Sequence, residues 1–163
     1  MPRPDPVAPA DAEARALALA LLAGARHAAL AVIDPETAAP GISRIALGLD
    51  AQGLPLTLIS QLAPHTAALR VNPAAALMVG EPGPKGDPLT HPRLMLRVSA
   101  SFLDRNAPGH AALRAHWLQS HPKSTLYVDF ADFAFVRFSP VSALLNAGFG
   151  RAFRLTAADL LPH

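Results

Sequence analysis

Ser43-Arg44-Ile45-Ala46-Leu47, then Leu58-Ile59-Ser60-Gln61-Leu62-Ala63-Pro64-His65-Thr66, closed by Asn72-Pro73, is the stretch on which the reading of this chain turns. Around the first segment the pattern alternates from Ile42 to Asp50, with Ile45, Leu47 and Leu49 on one face and Arg44, Ala46 and Gly48 on the other, which predicts a strand. Ala51-Gln52-Gly53 predicts a hairpin loop, and Leu54 to Ser60 the returning strand. Pro64 to Val71 predicts a short helix, stopped at Asn72-Pro73. Arg44 lies mid-strand between apolar neighbours and must point to solvent, to a partner chain or to an anion. Ser60, His65 and Thr66 flank a strand-to-helix corner. Two readings stay open there. The hydroxyls cap orphan N–H groups, or they join Arg44 around a phosphate.

Outward from this stretch the elements stay short. Met1 to Ala10 contains four prolines and is expected to be a mobile arm (residues 1–10), leaving residues 11–163 as one domain. Asp11 is a plausible N-cap for a helix reaching about Ala25, and His27 to Asp34 reads as a strand. Ala75 to Gly80 is a fully apolar strand. The loop from Glu81 to Pro92 carries four prolines and two glycines and is expected to pack against something or to cover a site. Arg93 to Phe102 is a long strand, with Leu94, Leu96, Val98, Ala100 and Phe102 facing one way and Arg93, Met95, Arg97, Ser99 and Ser101 the other. Pro108 to Ser120 is a helix, Phe133 to Phe138 and Val141 to Phe149 are two further strands, and Thr156 is a candidate N-cap for a terminal turn. Six or seven strands in hairpin order with three helices argue for a mainly β, α+β fold: an antiparallel barrel with helical additions.

Composition excludes several classes. The chain has no cysteine, so disulfides, thiolate catalysis and Cys-held metal centres are ruled out. Net charge is +2 and the basic residues are scattered, which gives no nucleic-acid footprint. The apolar run Ala16 to Ala25 is too short to span a bilayer, and the acidic residues Asp5, Asp11 and Glu13 ahead of it spoil a signal peptide, so a soluble, cytoplasmic protein without membrane partners is expected. Half the residues are hydrophobic and only 16% charged, which predicts apolar surface buried against a second copy. Arg93 and Arg97 share one strand face and read as an exposed stripe or the border of an anionic ligand or subunit interface. Gly148-Phe149-Gly150-Arg151 is a weak dinucleotide signal and predicts a bulge or tight turn. His116 and His121 are badly spaced for two ligands on one helix face, and no metal site is expected.

Taken together, Ser43-Arg44 with Leu47, Leu58-Ile59-Ser60 with Leu62-Ala63 and His65-Thr66, and Asn72-Pro73 with Ala75 to Val79 resemble the pyridoxamine 5′-phosphate oxidase-like flavoproteins. Asp87-Pro88-Leu89-Thr90-His91-Pro92-Arg93-Leu94, Tyr127-Val128-Asp129-Phe130 with Asp132-Phe133, and Gly148-Phe149-Gly150-Arg151-Ala152 are similar to segments of its haem-utilisation branch. The resemblance implies an FMN-binding split β-barrel that works as a homodimer, with the flavin at the subunit interface. It implies that Arg44 binds the FMN phosphate with Ser60, His65 and Thr66 nearby, and that Ile45 and Leu47 lie beside the ring or ribityl chain. Arg93 falls near where oxidases of the family carry a glutamine that reaches the partner's flavin. The implied function is an FMN-dependent oxidoreductase acting on a small-molecule redox substrate. Two alternatives stand beside it: haem binding on the same fold, with His65, His91 or His116 as conceivable ligands, and a non-catalytic sensor or structural barrel.

Overall fold

The computed structural model describes residues 5–161. Among them nine strands form one sheet, flanked by three α-helices. In chain order these are β1 (Val7–Pro9), α1 (Ala12–Gly24), β2 (His27–Ile33), β3 (Pro40–Ala46), β4 (Gly48–Leu49), β5 (Pro55–Ser60), α2 (Pro64–Val71), β6 (Ala74–Val79), β7 (Arg93–Phe102), α3 (His110–Ser120), β8 (Phe133–Asn146) and β9 (Ala152–Thr156). The path across the sheet runs β1-β9-β8-β7-β6-β2-β3, with β5 also on β8 and β4 on β5. The pairs are antiparallel except β1 with β9, which is parallel.

Local chemistry accounts for most boundaries. The Asp11 carboxylate accepts the Ala14 N–H at 2.8 Å and opens α1. Ala14, Ala18 and Leu22, spaced by four, form the buried stripe of α1. They pack against Leu30, Leu77, Leu94 and Leu96 in the main core. A second cluster of Leu56, Leu58, Trp117, Val128 and Phe135 lies where α3 packs beside β5 and β8.

Several expectations need correction. The arm expected over residues 1–10 includes β1, which adds to the edge of β9, with the Asp5 carboxylate accepting from Arg154 Nη2. Met1 to Pro4 and His163 lie outside the described residues. The strand expected from Ile42 to Asp50 breaks at Leu47, whose N–H donates to Arg26 O at 2.9 Å. Gly48 explains why the chain can pass there: a Cβ on it would stand 3.2 Å from both the Trp117 and His121 rings. β3 therefore pairs with β2, and β4 with β5, so the expected hairpin retains only its short β4 arm. Phe133–Phe138 and Val141–Phe149 are not two strands. One 14-residue β8 runs through Pro140, with a register shift opposite Arg97/Val98 that accommodates the missing N–H. Gly148 and Gly150, both at positive φ, turn it into β9, a strand the sequence reading missed.

Candidate functional site

Strand alternation decides which candidate residues can meet. On β3 the odd positions face inward. Ile45 is 4% exposed and Leu47, just beyond the strand, 0%. Both are core residues within this chain. Arg44 takes the even, outward face and is exposed. Ser43 faces the other way, and its hydroxyl lies 3.0 Å from His65 Nδ1.

The polar corner after β5 holds itself together. Thr66 is 1% exposed, and its Oγ1 donates to Ser60 O at 2.6 Å. Ser60 Oγ donates to Asp132 Oδ2 at 3.1 Å and accepts the Leu62 N–H at 3.1 Å. Both hydroxyls brace the turn that leads into α2, which itself starts without a side-chain cap. The structure brings Ser60 and Thr66 together and His65 to Ser43, with Arg44 on the opposite strand face. Among the described residues Arg44 has no hydrogen bond or ion pair.

Each histidine has a distinct position. His91 accepts the Gly83 N–H at Nδ1 (3.1 Å), and its Nε2 lies 2.8 Å from Lys85 O, which clamps the proline-rich loop to itself. His116 Nε2 is 2.9 Å from Leu49 O. His121 stacks on Trp117 with ring centroids 3.9 Å apart. His65 keeps a buried Nε2 without a hydrogen-bond partner among the described residues. Burial holds its imidazole below the ordinary 6.5. The folded state thus favours neutral His65, while the unfolded chain takes up a proton near 6.5. Stability from this group is complete above that pH and falls as the pH drops through the lowered folded value. Urea midpoints should therefore decline as the pH falls below about 6.5. His65→Asn should flatten that part of the profile, and an unchanged slope would contradict the assignment.

The residues that reading from sequence did not connect lie on the outward face of the sheet. Register aligns Arg44, Ala29, Met78, Met95, Leu144 and Arg154 in one row across β3, β2, β6, β7, β8 and β9. The next row is Ile42, Ala31, Ala76, Arg97, Ser142 and Thr156. Met78 is 50% exposed and Ile42 78%. This is an apolar floor crossed by arginines. Arg97, like Arg44, has no partner among the described residues. Arg93 shares the face and donates to Leu89 O at 3.0 Å. The signal was present in β6, which is apolar at every position: a strand that is apolar on both faces needs cover on both.

No family model matches the chain. A putative pyridoxamine 5′-phosphate oxidase of Listeria innocua superposes with a TM-score of 0.62 at 18% identity, over 80% of this chain and 96% of its own. The chain has the split-barrel fold of its pyridoxamine 5′-phosphate oxidase-like neighbours. This split barrel is also similar to a heme-binding protein of Mycobacterium smegmatis, with TM-score 0.82 and 25% identity over 93% of this chain and 61% of that one. In sequence it is 32% identical over 114 residues to HOZ, a chloroplastic non-canonical heme oxygenase of Arabidopsis thaliana, which is 70% of this chain and 34% of the relative. The split barrel thus spans about a third of the Arabidopsis protein and less than two thirds of the Mycobacterium one. No helix among the described residues is long and apolar enough to cross a membrane.

Proposed function

We propose that this split barrel is a haem-handling protein that holds the ring between two copies of the chain, against the outward face of the sheet. The observation that carries this reading is the uncovered floor of Ala29, Ala31, Ala76, Met78 and Met95, bordered by the unpartnered Arg44 and Arg97. Neighbouring strands lie about 4.8 Å apart, so the floor over β2, β6 and β7 is roughly 10 Å wide, the scale of a planar tetrapyrrole. Apolar side chains suit the ring, and guanidinium groups suit its carboxylates. A single sheet face of this kind is open to water, and a second copy would close it. The haem-related names of the Arabidopsis and Mycobacterium relatives support the same ligand.

The fit extends to a possible iron ligand. His65 faces inward, and His91 and His116 already use ring nitrogens in hydrogen bonds. By alternation β2 presents His27 on the outward side, with Nδ1 3.7 Å from Glu81 Oε1. A carboxylate at Nδ1 orients an imidazole so that Nε2 stays available. When bound, the iron porphyrin would supply the redox chemistry. The residues of this chain would bind the carboxylates, orient the ring and exclude water from it.

FMN is the second reading, favoured by the free guanidinium of Arg44. The hydroxyls of Ser60 and Thr66 do not fit the phosphate, because both are already bonded within the corner. A role as an FMN-dependent oxidoreductase follows only if Arg44 and a partner chain suffice without them.

Haem and FMN titrations followed by absorption, with mass measured by light scattering, test these readings. The expected result is a dimer with a saturable Soret band. Arg44→Ala should weaken haem binding by about tenfold or more, since a charge-assisted contact contributes about 1.5–3 kcal/mol. Met78→Asp should abolish both dimer and band, and His27→Ala should shift or remove the band. A monomer that takes up no haem would overturn the proposal, and uptake of FMN alone would favour the second reading.

A further inference from the structure

A cavity of about 390 Å³ opens between the start of α3, the β4–β5 hairpin and β8, and none of its lining residues belongs to the two rows that form the apolar floor. That volume lies within the range of small-molecule sites. Its walls are apolar at Leu103, Ala107 and Leu113. Three polar side chains also line it: Arg137, Asp104 and His110.

Each of the three is held in place with bonding capacity unused. Arg137 donates from Nε to Asp50 Oδ2 at 2.6 Å. Asp50 is itself fixed by the N–H groups of Gln52 and Leu54, both at 2.9 Å. The two terminal nitrogens of the guanidinium have no partner among the described residues, so its fork is steered but open. Asp104 uses Oδ1 to accept the Asn106 N–H at 2.8 Å, which leaves Oδ2. His110 lies edge-on to Phe135, with ring centroids 5.7 Å apart, and its Nδ1 is buried without a hydrogen-bond partner. α3 also starts without a side-chain cap.

We propose that this cavity binds a small zwitterion with an apolar side chain, in chemical class an α-amino acid. Its carboxylate pairs with the free fork of Arg137. Its ammonium donates to Asp104 Oδ2. Its side chain lies on Leu103, Ala107 and Leu113. A simple carboxylate leaves Asp104 unpaired, and a simple amine leaves Arg137 unpaired. Only a ligand with both charges meets both groups.

The test is an NMR titration of the ¹⁵N-labelled full chain with L-phenylalanine, 3-phenylpropionate and 2-phenylethylamine. Saturable shifts at Gln52, His110 and the Arg137 side chain are expected with L-phenylalanine. Each single-charge analogue should bind at least about tenfold more weakly. Asp104→Asn changes an exposed residue and should bring L-phenylalanine down to the level of 3-phenylpropionate. Leu113→Trp should fill the cavity and remove binding. No saturable shifts with L-phenylalanine, equal binding of all three probes, or an undiminished response in Asp104→Asn would each overturn the proposal.

Discussion

Trp117→Ala is expected to lower stability by about 3–5 kcal/mol, the range for emptying a buried indole site. Trp117 is 1% exposed and joins every part of the second core cluster. Its ring stacks on His121 at 3.9 Å and meets the Phe135 ring edge at 5.8 Å. Its Nε1–H donates to Ser124 Oγ at 3.1 Å. The Gly48 backbone passes under it so closely that a Cβ there would stand 3.2 Å from the indole ring. Neighbours held this tightly collapse poorly into a void, which places the cost toward the upper end. For a chain of this size the melting temperature should fall by roughly 6–20 °C, at about 2–4 °C per kcal/mol. Circular dichroism is the suitable readout, because Trp117 is the only tryptophan and the variant loses that fluorescence. A loss below about 1 kcal/mol would show that α3 is not bound to the barrel through this residue.

Asp50→Ala is expected to cost about 3–4 kcal/mol. The carboxylate is 4% exposed and accepts three donors: the N–H groups of Gln52 and Leu54, and Arg137 Nε. Its removal orphans both hairpin N–H groups and leaves a guanidinium without its partner. The Arg137 side chain is 31% exposed and can turn partly to water, which keeps the cost at the lower end for a broken buried pair. Asp50→Asn retains one acceptor oxygen and should lose about half as much. Urea denaturation of both variants beside the parent measures the difference. Equal stability of Asp50→Ala and the parent would show that the pair contributes nothing net. The same substitution should also weaken L-phenylalanine binding, because the Arg137 fork loses what aims it.

The elements most legible in the sequence were those governed by neighbours along the chain. α2 spans Pro64–Val71, as proline at its start and Asn72-Pro73 at its end require. β7 spans Arg93–Phe102, with Leu94, Leu96 and Val98 buried as alternation demanded. Asp11 caps α1 through its own carboxylate. What escaped was set by distant contacts. Leu47 breaks its strand because Arg26 O takes its N–H and α3 lies over Gly48. One strand was expected to end at Phe138 and another to begin at Val141, yet a register shift against β7 carries β8 straight through Pro140. β1 and β9 are short and pair with each other, so neither has a strong periodic signal of its own.

The candidate site divides along the same line. Arg44 could be recognised as a cation that must leave the core, and it does. Ser60, His65 and Thr66 could be placed at one corner. Whether their polar atoms were free could not be read, because Asp132, Ser43 and the Ser60 carbonyl come to them only through folding.

Periodicity, proline and capping residues alone determined a mainly β chain with three helices, the inward faces of β3 and β7, and an arginine held outside the core. These are consequences of local sterics and of burying apolar side chains two or four residues apart. Tertiary structure alone decided which hydroxyls were already satisfied, and that Arg44, Met78, Met95 and Arg97 share one surface. It also decided that Asp50 aims Arg137 into a cavity beside α3. Cross-strand register and hydrogen-bond partnership depend on residues tens of positions apart, and no local pattern encodes them.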